Sequence, residues 1–374
     1  MITDQLAYRI AFASLKGMNQ ALAGELLARL GSEEAFFNAS EAELSALLGC
    51  SNHMFRQSVR QDAINLASKE LDFIYANRIK ALYYTDPEYP SRMLEADDAP
   101  LMVYALGKAN LNEGRFVSIV GTRHATPYGI DFVGRLVEEL QQKMAEPLTV
   151  VSGLAFGIDA AAHAASLKAC VPTVGVLAHG LNTIYPAQHR QMAADMVRGN
   201  GMVLTEYMSS SPIHKGNFVA RNRIVAAMTD CTIVAESASK GGALITANLA
   251  SGYNRDVFAL PGRTSDRYSA GCNQLIHQNI ASLIENADQL IDAMRWRRRE
   301  QQPEQQSLFP ELTPQQQAVI DLLTAKGEAQ LNQITIALND TVGRTMSLLI
   351  DMEFKGLILT YPGGKYRLGP AVNK

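Results

Sequence analysis

Three glycine-bearing loops hold the residues with chemistry to offer. The first, Gly121-Thr-Arg-His-Ala-Thr126, follows the apolar run 116–120, and Pro127 then opens a helical stretch. Gly121 lets the chain turn tightly. The hydroxyls of Thr122 and Thr126 and the free amides of a helix start can donate to a phosphate, and the helix dipole favours an anion there. Arg123 adds a planar, two-pronged donor. These groups make a phosphate cradle; taken alone, the loop also reads as a glycine turn with a surface arginine. The second loop is Ser152-Gly-Leu-Ala-Phe-Gly157. Ser152, Gly153 and Gly157 allow a ligand close to the backbone. Asp159 and His163 follow, one helical turn apart. As a metal or acid/base pair they lack a third partner, so Asp159 reads better as a cap that orients the glycine loop. The third stretch, Lys215-Gly-Asn-Phe-Val-Ala-Arg-Asn-Arg223, interleaves a ring with basic groups. If a helix starts near Phe218, Arg221 and Asn222 lie three and four residues on. Lys215 and Arg221 can then hold phosphates, Phe218 can stack a base, and Asn222 can bond a base edge. This is the pattern of single-stranded nucleic-acid binding. The alternative places Phe218 in the core and Asn222 at a cap. Arg221 and Arg223 point in different directions, and one of them suits an ion pair with Glu206 or Glu236.

Further loops carry Glu236 to Gly242, Thr246 in the following helix, Pro261-Gly-Arg263 and Ala270-Gly-Cys-Asn273. Glu236 among glycines is the one candidate general acid. It has no matched nucleophile or second acid, so catalysis is not expected. Neither GxGxxG nor GxxxxGK[ST] occurs, which removes the usual support for a dinucleotide cofactor or a P-loop nucleotide. No cofactor or metal is expected.

The elements that must position these loops are legible as alternation. Apolar runs at 116–120, 148–151, 173–177, 202–205, 231–235 and 257–260 are separated by helical stretches such as 129–144, 159–169 and 187–197. Such alternation predicts an α/β doubly wound, mostly parallel sheet. The runs are continuous, as strands covered on both faces should be. Before it, residues 1–75 read as a small helical domain. Leu15-Lys-Gly-Met-Asn19 breaks the pattern there, either as a helix-hairpin-helix that meets DNA phosphate or as a SAM-like packing bundle; the acidic balance favours the bundle. Residues 76–292 form the ligand-binding domain and 293–312 a linker. In the linker, Arg295-Trp-Arg-Arg-Arg299 is either a solvated helix end or a phosphate contact. Residues 313–374 read as helices followed by a Gly-turned hairpin, a winged helix that binds duplex DNA or a protein.

With 374 residues, two or three domains are expected. The net charge of −3 gives no global field for nucleic acid. Residues 1–100 carry 9 basic and 14 acidic side chains, 113–292 carry 14 and 15, 293–310 carry 4 and 2, and 311–374 carry 6 and 6. Phosphate binding must therefore use a local cluster of cations and backbone amides. Cys50, Cys170, Cys231 and Cys272 form no CxxC pair and read as buried free thiols, which suits a reducing cytoplasm. The start has no signal-peptide pattern. No stretch is apolar enough to span a membrane.

The sequence resembles the DNA processing protein A family (DprA, also called Smf). The matching runs are Ser118-Ile-Val-Gly-Thr-Arg123, Val151-Ser-Gly-Leu-Ala-Phe-Gly-Ile-Asp159, His163, Gly180-Leu-Asn-Thr-Ile-Tyr-Pro186, Phe218-Val-Ala-Arg-Asn-Arg-Ile224, Val234-Ala-Glu236 and Phe258-Ala-Leu-Pro-Gly262. The resemblance implies an extended Rossmann-like fold, single-stranded DNA (ssDNA) binding, self-association as a homodimer, and delivery of ssDNA to the RecA recombinase in natural transformation. Single-strand-binding protein is a further partner in that reading. It implies phosphate contacts at Gly121, Arg123 and Lys215 and a base contact at Phe218. Thr122 stands where the family usually has serine. Lys240-Gly-Gly-Ala-Leu244 replaces Ser-Gly-Ser-Leu, so the hydroxyl the family offers there is missing. The rival readings are a Rossmann-like nucleotide phosphoribohydrolase, whose PGGxGTxxE run is absent, and a winged-helix regulator of duplex DNA.

Overall fold

The computed structural model describes residues 4–299 and 312–369. The chain divides into two compact units, Met1–Arg299 and Glu300–Lys374.

The first unit begins with five helices, α1 (Gln5–Ser14), α2 (Gln20–Leu30), α3 (Glu33–Asn38), α4 (Glu41–Leu48) and α5 (Gln57–Asn77). Local signals set their ends: Asp4 and Asn19 cap α1 and α2, and Ser40 with Glu43 forms a reciprocal capping box on α4. Strands β1 (Lys80–Tyr83) and β2 (Met102–Gly107) follow. The five helices do not enclose a core of their own. Ile10, Phe12, Leu26, Phe36, Phe55 and Ile74 share one apolar cluster with Tyr83, Leu101, Met102 and Tyr104 of the sheet region. An amphipathic helix must bury its stripe somewhere, and here the nearest apolar surface is the outer face of β1 and β2.

Next come β3 (Arg115–Gly121), α6 (Pro127–Lys143), β4 (Leu148–Ser152), α7 (Ile158–Lys168), β5 (Thr173–Val176), α8 (Arg190–Arg198) and β6 (Met202–Thr205). Then α9 (Lys215–Ala220), α10 (Asn222–Ala227), β7 (Cys231–Glu236), α11 (Gly242–Gly252), β8 (Asp256–Ala259), α12 (Ala270–His277), β9 (Ser282–Leu283) and α13 (Ala287–Ala293) complete the unit. The sheet order is β1-β2-β6-β5-β4-β3-β7-β8-β9. Pairings β1/β2 and β2/β6 are antiparallel, and the remainder are parallel. β3 shows why its run is continuously apolar. Phe116 and Val120 pack into one layer with α10 and α11, while Val117 and Ile119 face α6 and α13 on the other side.

The arginine run joins this unit instead of opening a linker at 293. Met144 and Arg298 pair as an antiparallel bridge, and Trp296 is buried. Arg298 bonds Asp288 and Asp292, and Arg297 lies 3.6 Å from Glu146. These charges are satisfied by acidic neighbours. Residues 300–311, the rest of the expected linker, lie outside the described residues.

In the second unit, α14 (Pro314–Lys326), β10 (Ala329–Gln330), α15 (Leu331–Leu338), α16 (Val342–Phe354), β11 (Ile358–Tyr361) and β12 (Lys365–Leu368) enclose a separate core around Val319, Leu323, Ile334, Leu349 and Met352. Its sheet order is β10-β12-β11, all antiparallel. Among the described residues no helix is long and apolar enough to cross a membrane. The four cysteines are free, but only Cys231 and Cys272 are buried; Cys50 and Cys170 are exposed, correcting the expectation of four buried thiols.

Candidate functional site

From β3 the chain steps in one direction through β4, β5 and β6, then returns to the other side of β3 with β7, β8 and β9. The order reverses between β3 and β7. An open sheet leaves a crevice beyond its carboxyl ends at such a point, where ligands bind. A cleft of about 270 Å³ lies there. Gly121, Thr122 and Arg123 line it from the end of β3, and Gly153, Ala155 and Asp159 from the end of β4. Phe218, Val219, Arg221, Asn222 and Val225 line it from α9 and α10; Ala238, Gly241, Gly242, Ala243 and Thr246 line it around the start of α11. Residues more than 120 positions apart thus converge because every loop leaves the same sheet edge.

The groups that face outward are few. Arg123 is exposed and makes no ion pair with any described residue. Its guanidinium carbon lies 6.0 Å from the Phe218 ring centroid, within reach of cation–π attraction. Phe218 is half-buried, with one side on the cleft, so the ring is neither core nor loose surface. Lys215 is exposed at the first residue of α9 and does not line the cleft. The helix expected near Phe218 starts at Lys215 and breaks at Arg221, where α10 begins anew.

That break turns Arg221 inward. It is 4% exposed, and its Nη1 donates to Gly153 O at 2.6 Å and to Val176 O. Gly153 is required by this arrangement, since a Cβ there would collide with the guanidinium. Burial opposes the charge of Arg221, while the Asp159 carboxylate supports it. Asp159 in turn accepts from the amides of Gly153 (3.1 Å) and Ala155 (3.3 Å). Burial raises its pKa, against the pull of Arg221 and these amides. A buried cation and a buried carboxylate therefore hold the second glycine loop from both sides, and neither is stable there without the other. Arg223 points the opposite way, to Glu206 and to Asp98 O.

Other expected site groups brace the loops. Ser152 is buried and donates to Ile119 O at 2.6 Å. Gly157, at φ 75°, packs on the Thr122 carbonyl, where a side chain would not fit. Ile158 N also donates to that carbonyl at 3.1 Å. Thr126 does not offer free donors: its amide (2.8 Å) and hydroxyl (2.5 Å) both bond the Glu236 carboxylate. The start of α6 is thus already occupied by an anion from the protein itself. Both Glu236 oxygens accept hydrogen bonds from Thr126. His163 is fully buried, and its Nδ1 is 2.7 Å from Thr173 Oγ1, whose own hydrogen goes to Val150 O. The network therefore assigns the proton to Nδ1. Burial, then the neighbouring His189 and Arg221 charges, lower the His163 pKa to about 3. It is a neutral strut, not half of a metal or acid/base pair with Asp159.

Gly17 turns the chain between α1 and α2, with φ 91°. It lines a second cavity of about 340 Å³ together with Asp98, Glu206 and Arg223. Two carboxylates make that turn a poor seat for phosphate.

Sequence reasoning missed the apolar floor of Val219, Val225, Ala238 and Ala243. It also missed Tyr185, a half-exposed ring whose centroid lies 5.6 Å from that of Phe218. Tyr185 lies within the family-like run Gly180–Pro186, but only the fold pairs it with Phe218.

The family model of DNA recombination-mediator protein A matches residues 80–295, more than half of the chain. The chain belongs to this family. The matched span runs from β1 past α13 and contains every residue that lines the cleft. Protein Smf of Synechocystis sp. is 34% identical over 79% of this chain and 74% of its own length. DNA processing protein DprA of Bacillus subtilis is 35% identical over 64% and 83%. The X-ray structure of DNA processing protein A from Streptococcus pneumoniae superposes with a TM-score of 0.64 at 30% identity, covering 78% of this chain and 98% of that one. DNA processing protein A from Helicobacter pylori, whose structure was described for its ssDNA binding mode, gives 0.52 at 28%, covering 59% and 98%.

Proposed function

We propose that this family member binds ssDNA across the cleft at the β3/β7 reversal, protects incoming ssDNA and helps load RecA in natural transformation. One observation carries the ssDNA reading: an exposed arginine without an acidic partner among the described residues sits over a half-buried phenylalanine at the mouth of the cleft. Arg123 takes a phosphate and Phe218 stacks a base, assisted by Thr122, Lys215 and Asn222. The H. pylori relative described for ssDNA binding supports it. Binding without turnover is favoured over phosphoribohydrolysis, because Glu236 is engaged by Thr126. The second unit, with three helices and the strand order β10-β12-β11, reads as a winged helix free for protein contacts. Homodimer formation, a cytoplasmic setting and exchange with single-strand-binding protein complete the proposal.

The test is a salt series with ssDNA and duplex of equal length. The chain should prefer ssDNA. Arg123→Ala should weaken binding and make the slope of log affinity against log salt shallower by about 0.7, one single-strand phosphate contact. Equal affinity for duplex, or an unchanged slope, counts against the proposal.

A further inference from the structure

We infer that Tyr185 is a second nucleobase station, holding the base adjacent to the one on Phe218. This rests on the ssDNA reading above and extends it to a residue in a different loop. Tyr185 is 50% exposed, although a ring of that size gains most by burial. Its centroid lies 5.6 Å from that of Phe218, with 64° between the ring planes. Arg123 flanks Phe218 at 6.0 Å. The three side chains come from the β3–α6 connection, the β5–α8 connection and helix α9, so the cluster is a product of the fold.

The angle decides how bases are held. Two rings at 64° cannot both lie flat on one base. A base stacked on Phe218 meets Tyr185 edge-on, which leaves the exposed face of Tyr185 to the neighbouring base. Every base has a π face, so this station is indifferent to sequence. Tyr185 is also held in place from below. Its amide donates to Nε2 of buried His179 at 3.2 Å, and His179 Nδ1 donates to Gly180 O at 2.9 Å. Bonded at both ring nitrogens, the His179 imidazole fixes the backbone that carries Tyr185. A ring anchored at its backbone but bare on its outer face is ready for a planar ligand.

The experiment uses the full chain and short oligo(dT) bearing 5-iododeoxyuridine at successive positions, cross-linked with near-ultraviolet light and mapped by mass spectrometry. Neighbouring positions should cross-link to Phe218 and Tyr185. Tyr185→Ala should lower affinity about 5- to 150-fold, the range of one lost stacking contact. Its salt slope should stay that of the wild type, because a neutral ring displaces no counterions. Tyr185→Phe should restore the affinity, and a melting curve checks that Tyr185→Ala is folded. Wild-type affinity in Tyr185→Ala, or cross-links that reach Phe218 and never Tyr185, overturns the inference while leaving the ssDNA reading in place. If Arg123→Ala and Phe218→Ala also bind like the wild type, the ssDNA reading fails with it.

Discussion

At the scale of single residues, His163 gives the molecule a pH signature. Its pKa in the folded chain is about 3, against an ordinary 6.5. Between those values the unfolded chain binds a proton that the folded chain does not. Stability from this residue is therefore complete above pH 6.5 and declines as pH falls toward 3, by about 1.4 kcal/mol per unit. Asp159, Glu70 and Glu206 carry raised pKa values through burial and act in the opposite direction. They remain in a His163→Gln variant, so the difference between the two proteins isolates the histidine. Urea unfolding at pH 7 and pH 5 should show the wild type losing about 2 kcal/mol more than the variant. Parallel pH dependences would reject a buried neutral His163. The same scale marks the limit of sequence reading. Arg123 and Phe218 were legible because loop position and residue type suffice to nominate them. Arg221 and Arg223 were not separable, because their directions depend on the helix break between α9 and α10. Thr126 was misread as a free donor, since its partner Glu236 lies 110 positions away.

At the scale of elements, the parallel strands were legible and their attachments were not. A strand buried on both faces writes itself as an apolar run, so β3, β4, β5, β6, β7 and β8 are visible in the sequence. The edge strand β9 has two exposed residues and leaves no such trace. The helices α1 to α5 look like a free-standing bundle because their pattern does not say whose apolar surface completes their core. One contact shows what their docking does for the site. Glu70 of α5 is 3% exposed and accepts from Ser209, from its amide at 3.0 and 2.8 Å and its hydroxyl at 2.6 Å. Ser209 lies in the loop from β6 to α9, which presents Lys215 and Phe218. Glu70→Ala should leave these donors without their charged acceptor, at a stability cost of about 1.5–3 kcal/mol. Hydrogen exchange should quicken in 206–217 while β3, β4 and β7 stay protected, and ssDNA affinity should fall. Unchanged exchange in 206–217 would mean that the N-terminal helices do not brace the binding loop.

At the scale of the whole molecule, the cleft, its bracing charges and the five N-terminal helices belong to one unit, and the second unit has its own core. A chain lacking 313–374 should therefore bind ssDNA with the affinity and salt slope of the full chain. The full chain has a further expected role, easing RecA onto ssDNA already coated with single-strand-binding protein. That role fits the composition. The sequence contains no GxxxxGK[ST] run. Phosphate contacts made by a few cations are screened by salt, which favours exchange over permanent capture. The measurement is RecA's ATPase on pre-coated ssDNA, with a RecA from the same host. The wild-type chain should shorten the lag, and an Arg123→Ala, Phe218→Ala double variant should not. An unchanged lag with the wild type would reject the mediator role even where ssDNA binding holds. A lag shortened by the full chain but not by the chain lacking 313–374, at equal ssDNA affinity, would assign the hand-over to the second unit.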